Sequence, residues 1–207
     1  MKAIVYLTAL LLAACGGGGS TIPTQPEPTG GYLVSAYGDS TQEAQGQPHA
    51  ASRPGAMVYN RGVSGTNEQQ LLAGTDGRNY AWAEMVKRES ARIVVINHGI
   101  NSRGYPLSEY RQNLKTLVEV AQAAGLVVML EEPNPAGETR TPLMDALKFD
   151  VEAFEKRRAA MREVASHTGV YFCAQPRVPL ADGIHPTPEG YAIKANRLAA
   201  CIADMLK

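Results

Sequence analysis

A chain of 207 residues, 44% of them hydrophobic, can bury one sizeable core and is too short for two domains of ordinary size. Twenty basic residues balance twenty acidic ones, so charge gives no reason to expect nucleic acid or a strongly acidic polymer as partner. No Cys/His cluster stands at metal-ligand spacing and no Gly-x-Gly-x-x-Gly follows the first strand, so neither a metal nor a nucleotide cofactor is expected.

In chain order, Lys2 is followed by an apolar run from Ala3 to Ala14, short for a membrane span and right for a signal-peptide core. The run ends Leu12-Ala13-Ala14-Cys15, which looks like a bacterial lipobox. Residues 1–14 are then a leader, and Cys15 is the lipidated first residue of the mature protein. The bland alternative is an ordinary leader with a chance cysteine. Gly16, where some Gram-negative lipoproteins carry Asp, favours by resemblance the outer membrane over retention at the inner one. After Cys15, residues 16–30 are Gly, Ser, Thr, Pro and Gln apart from Ile22 and the single charge Glu27, and residues 15–30 read as a tether. The folded domain is expected over residues 31–207.

Five apolar, β-branched runs follow: Tyr32–Tyr37, Ala56–Asn60, Arg92–Asn97, Leu126–Leu130 and Val170–Cys173. Such runs suit strands covered on both faces. Segment Thr41–Gly55 is polar, holds Gly and Pro, and reads mostly as loop. Helical patterns cover Trp82–Glu89, Leu107–Ala124 (stopped by Gly125), Ala146–Ser166 and Pro188–Leu206. Alternating strands and helices predict an α/β fold, a parallel sheet with helices on both faces. Cys173 ends a strand-like run and Cys201 lies in the last helix. They are expected to pair, the alternative being two buried thiols.

In such sheets ligands gather beyond the carboxyl ends of the strands. The first strand runs into Gly38-Asp39-Ser40-Thr41. There Ser40 is either a nucleophile or, taken alone, a helix cap. The second runs into Asn60-Arg61-Gly62-Val63-Ser64-Gly65-Thr66, where a glycine lets backbone approach a ligand and offer its N–H. The third runs into His98-Gly99-Ile100-Asn101, where Asn101 is an amide donor or a residue satisfying its own loop. Before the last helix stands Asp182-Gly183-Ile184-His185-Pro186. That spacing lets Asp182 accept the Nδ1 proton of His185 and leaves Nε2 free to take one from Ser40. An Asp-Gly turn beside a surface His is the alternative. Ser64 misses the Gly-x-Ser-x-Gly elbow spacing by one residue and is not the expected nucleophile. His49 and His167 have no partner pattern and read as surface or core residues.

Together these blocks resemble the SGNH, or GDSL, hydrolases over about residues 31 to 206. The matching pieces are Gly38-Asp39-Ser40, Gly65, Gly99-Ile100-Asn101 and Asp182-Gly183-Ile184-His185. The resemblance implies a three-layer α/β/α domain with a five-stranded parallel sheet of flavodoxin-like order. It also implies Ser40 as nucleophile, His185 as base and then acid, and Asp182 as its orienting partner. The oxyanion donors would be the Ser40 and Gly65 N–H groups and the Asn101 amide. The third block departs from the family's usual Gly-x-Asn-Asp, with Ser102 after Asn101 and His98 before Gly99. His98 is therefore either a substrate contact or, the favoured alternative, a residue that packs or hydrogen-bonds locally; Asp39 is a candidate substrate contact, and Gly62 competes with Gly65. The activity implied is hydrolysis of carboxylic esters through an acyl-enzyme. The segment Thr41–Gly55, polar and short of large apolar residues, favours short-chain or acetyl esters, and an anchored enzyme outside the cytoplasm would meet O-acetylated envelope glycans. Longer acyl esters or thioesters, and a non-catalytic binding lipoprotein on the same fold, are the alternatives.

Overall fold

The computed structural model describes residues 32–53 and 55–207. The expected leader, the Cys15 anchor and the tether lie outside those residues. Five strands form one parallel sheet: β1 (Leu33–Gly38), β2 (Met57–Asn60), β3 (Ile93–Asn97), β4 (Val127–Glu131) and β5 (Tyr171–Cys173). Their order is β2-β1-β3-β4-β5, the order implied by the resemblance. The central strands are apolar on both faces because both faces are covered. Val94 and Ile96 pack under α4 (Leu107–Ala123) and α6 (Val151–Thr168), while Ile93 and Val95 pack under α7 (Pro188–Met205). The edges are less covered than the sequence suggested: Met57 and Tyr59 on β2 and Tyr171 on β5 are exposed.

Two helical readings need correction. Thr41–Gly55 is not mostly loop: α1 (Ser40–Ser52) fills it, with Pro48 inside the helix. Its buried residues are Thr41, Gln42, Gln45, Gly46 and His49, a helical period written in polar residues. A search for apolar periodicity is blind to such a face. Likewise the expected helix Ala146–Ser166 starts only at Val151, as α6 capped by Asp150, and Ala146 ends a separate short helix, α5 (Pro142–Ala146), capped by Thr141. Short helices α2 (Glu68–Ala73) and α3 (Trp82–Met85) complete the set, α3 running into a single 3-10 turn over 86–88. Gly125 closes α4 with positive φ as expected. Cys173 and Cys201 form a disulfide that ties β5 to α7. Among the described residues no helix is long and apolar enough to cross a membrane.

His49 shows what the polar face of α1 entails. Its Nε2 lies 2.8 Å from the Tyr32 hydroxyl, its Nδ1 has no partner, and burial lowers its pKa from 6.5 to about 4. The unfolded chain therefore binds a proton there that the folded chain refuses as pH falls from 6.5 towards 4. Folding free energy is lost across that window at up to about 1.4 kcal/mol per pH unit. His49 alone should remove roughly 2 kcal/mol of stability between pH 6.5 and 5, so urea unfolding of His49→Gln should show a pH dependence smaller by that amount. Equal pH dependence in the variant would mean that His49 is not buried neutral.

Candidate active site

The corner between β1 and α1 carries the first block. Asp39 is the N-cap of α1: its Oδ1 accepts from the Thr41 amide at 3.0 Å. This settles what the sequence left open at Ser40. The capping duty falls on Asp39, and Ser40, the first residue of the helix, has its hydroxyl free for another partner. That partner is His185, with Oγ 3.0 Å from Nε2. His185 Nδ1 in turn lies 2.8 Å from Asp182 Oδ2. An ionised carboxylate can only accept, so Nδ1 carries the proton and Nε2 presents its lone pair to the Ser40 hydroxyl.

Asp182 is held as an anion. Partial burial works against the charge, but hydrogen bonds from the His185 amide, the His185 ring and the Ile184 amide outweigh it. They keep the carboxyl below its ordinary pKa. The loop around it is pinned on both sides. It closes on itself through Ala181 N–H to His185 O and Thr187 N–H to Pro179 O. The segment leaving β4 grips it through Gly137 N–H to Gly183 O and Asn134 Nδ2 to Ile184 O, and Thr141 Oγ1 donates to the Asp182 carbonyl. Glu132, beside Asn134, is itself fixed by Arg158 at 3.0 Å and Arg162 at 2.6 Å.

The second block folds against α1. Gly62 is there for packing: a Cβ would meet the Glu43 backbone nitrogen at 2.4 Å. Gly65 has open space at that point but a φ of +77°. It is the third residue of a turn closed by Thr66 N–H to Val63 O, a position that calls for positive φ, and its own N–H is outside that bond. The two competing glycines thus separate into a packing role for Gly62 and an exposed turn amide for Gly65. Asn101 joins the second block to the third: its Nδ2 donates to Thr66 O at 3.0 Å, leaving one of the two amide protons uncommitted. As an N-terminal residue of α1, Ser40 has a backbone N–H with no intrahelical acceptor, at the positive end of the helix.

Asp39 is not placed as a substrate contact, and His98 takes its packing alternative. Asp39 is wholly buried and committed to Thr41, and His98 is 1% exposed with burial pushing its pKa down. Neither side chain reaches a ligand at the surface. His98 is a core histidine under the site, and Tyr110 donates to its carbonyl.

The sequence reading missed the layer beneath. Glu131, at the carboxyl end of β4, accepts from Gln45 at 2.8 Å and Gln175 at 2.6 Å, all three buried. Lys194 of α7 is fully buried and donates to Asn134 Oδ1 at 3.3 Å. Burial pushes the Glu131 carboxyl up and the Lys194 amine down, each opposed by the charge of the other. Glu131-Glu132-Pro133-Asn134 follows a strand directly, so the rule that found Asn101 could have found Asn134. Among the described residues no cluster of His, Cys, Asp and Glu is arranged to hold a metal ion.

Residues 19–193 match the model of the GDSL-like Lipase/Acylhydrolase family. No curated protein matches the chain. Among solved structures, a GDSL-like lipase from Bacteroides thetaiotaomicron is 24% identical, with a TM-score of 0.68 over 84% of this chain and 89% of its own. A carbohydrate acetylesterase from Sinorhizobium meliloti is 16% identical, with a TM-score of 0.67 over 84% and 99%. A variant of an acetyl-xylooligosaccharide esterase from a Geobacillus is 21% identical, with a TM-score of 0.64 over 83% and 94%. At these identities the likeness is one of fold.

Proposed function

The chain belongs to the GDSL-like lipase/acylhydrolase family and is an ester hydrolase; from that premise we propose that it cleaves short-chain, chiefly acetyl, esters with Ser40 as nucleophile. The observation that carries the assignment is the unbroken line Ser40–His185–Asp182, with Asp39 rather than Ser40 capping α1. Ser40 Oγ attacks the acyl carbon as its proton passes to His185 Nε2. Asp182 holds the imidazolium that forms. The carbonyl oxygen becomes an oxyanion facing the N–H groups of Ser40 and Gly65 and the free amide proton of Asn101. One such donor contributes about 2.7–4 kcal/mol. His185 then protonates the leaving alkoxide. Water, deprotonated by the same imidazole, attacks the acyl-enzyme and releases the acid.

Support for a short acyl group comes from two sides. The Sinorhizobium and Geobacillus proteins of the same fold are named as acetylesterases of carbohydrates. The cavity adjoining Gly99 and Ile100 is about 170 Å³, and half of its lining residues, Arg103, Lys148, Asp150 and Arg157, are charged, which leaves little apolar room for a long alkyl chain. The polar character of Thr41–Gly55 no longer bears on the point, since α1 fills most of that segment and Thr41, Gln42, Gln45 and His49 face inward.

Hydrolysis of p-nitrophenyl esters from acetate to decanoate tests the assignment. The expected profile peaks at two to four carbons. Ser40→Ala should lower kcat on the order of 10⁶-fold, and Asn101→Ala about 10²–10³-fold. A peak at eight carbons or more would replace the acetyl reading with a longer-chain one. Absence of turnover, or equal turnover by Ser40→Ala, would reject Ser40.

The same proposal places the enzyme at a bacterial envelope, held by lipid on Cys15 and facing acylated envelope glycans. In detergent phase separation the full-length protein should partition with the detergent and Cys15→Ser with water. Detergent partitioning of both would remove the anchor.

A further inference from the structure

Beside the third block lies a pocket whose charges the hydrolytic line does not use. Gly99 and Ile100, the two residues before Asn101, form one wall; Arg103, Lys148, Asp150 and Arg157 supply the charged lining. Arg157, on α6, is 7% exposed. Its Nη1 donates to Ala153 O at 3.1 Å and its Nη2 to Tyr105 O at 3.0 Å, while Nε has no acceptor. A guanidinium stays charged in a protein, and two neutral carbonyls leave its charge uncompensated. The neighbouring arginines spend theirs elsewhere: Arg158 and Arg162 on Glu132, Arg140 on Asp145. Among the described residues no carboxylate lies in ion-pair contact with Arg103, Lys148 or Arg157.

The carboxylates nearby are already engaged. Asp150 Oδ1 accepts from the Ala153 amide at 2.9 Å as the cap of α6, and Glu68, behind the wall, accepts from Ser102 and Tyr105. Three cations therefore face the pocket against one carboxylate. Lys148 enters the pocket from the end of α5: its φ of +47° is that of a residue closing a helix, with its N–H bonded to Asp145 O and the Phe149 N–H to Met144 O.

We propose that this pocket is a subsite for an anionic group on the substrate, a carboxylate or phosphate carried by an acylated sugar, bound next to the ester. The proposal rests on the ester-hydrolase reading for its substrate, but the pocket's binding of anions does not. It fits the neutral net charge of the chain: recognition is local to one negatively charged group and needs no long-range attraction to a polyanion.

Calorimetric titration of the full-length protein at low salt with methyl glucuronide, glucose 6-phosphate and neutral methyl glucoside reads the pocket without turnover. At least one anion should bind about tenfold more tightly than the neutral sugar, the stronger of the two identifying the group, and should weaken as salt rises. The double variant Arg103→Ala/Lys148→Gly removes two exposed charges and should erase most of that preference; Arg157→Met should do the same if it folds. In a parallel assay, kcat/KM for acetylated glucuronic acid over its neutral methyl ester should fall towards one in the double variant. Equal binding of anions and neutral sugar by the unaltered protein, or a preference that survives the double variant, overturns the subsite. Turnover without anion preference would overturn the subsite and leave ester hydrolysis standing. Anion binding without turnover would do the reverse.

Discussion

The contact between Ser40 Oγ and His185 Nε2 joins residues 145 apart in sequence across 3.0 Å. Hydrogen-bond strength falls steeply with misalignment, so both ends of this contact have to be fixed independently. At one end, β1 delivers the chain into α1, and Asp39 takes the cap that Ser40 would otherwise provide. At the other, the loop from Pro179 to Thr187 is tied to itself, to the segment leaving β4 and to Thr141. Ile184 anchors its apolar side in a small cluster with Ile100, Met144, Phe149 and Phe154. The imidazole is thus positioned by packing as well as by Asp182.

Beneath this line the interior is polar where a simple core would be apolar. Gln45 on the inner face of α1, with Glu131, Gln175, Lys194 and Asn134, forms a buried hydrogen-bonded layer between α1, α7 and the end of β4. Buried polar groups are costly unless paired, and when paired they admit few alternative arrangements. The layer links the two ends of the site: Gln45 of α1 bonds Glu131, and Asn134, bound by Lys194, holds the carbonyl next to His185. The cost falls on acid stability, since the buried histidines resist protonation.

The sheet was legible because covered parallel strands must be apolar on both faces, and Val94-Val95-Ile96 could hardly be anything else. Ser40, Asn101, Asp182 and His185 were legible through position, each falling where strands end or the last helix begins. α1 was not, because its buried period is polar and it contains Pro48. α2 was overlooked although Asn67 and Gln70 spell a capping box at its start. The depth of His98 and Asp39 was not legible, because adjacency in sequence to Gly99 and Ser40 says nothing of depth; both are buried, His98 as its packing alternative had it. The pocket under α6 could not be read at all: Gly99, Arg103, Lys148 and Arg157 meet through packing of α6 on α4.

The proposed mechanism gives neighbouring residues of one kind distinct tasks: Ser40 and not Ser64 as nucleophile, Gly65 as oxyanion donor while Gly62 packs against α1. Reaction with a fluorophosphonate that forms a covalent ester with an activated serine tests this most directly, with the adduct located by peptide mass spectrometry. One adduct is expected, on Ser40, forming about 10³–10⁴-fold more slowly in Asp182→Asn, where the imidazole loses its oriented tautomer. An adduct on Ser64 or another serine, or a rate indifferent to Asp182, would contradict the hydrogen-bonded line as the source of reactivity.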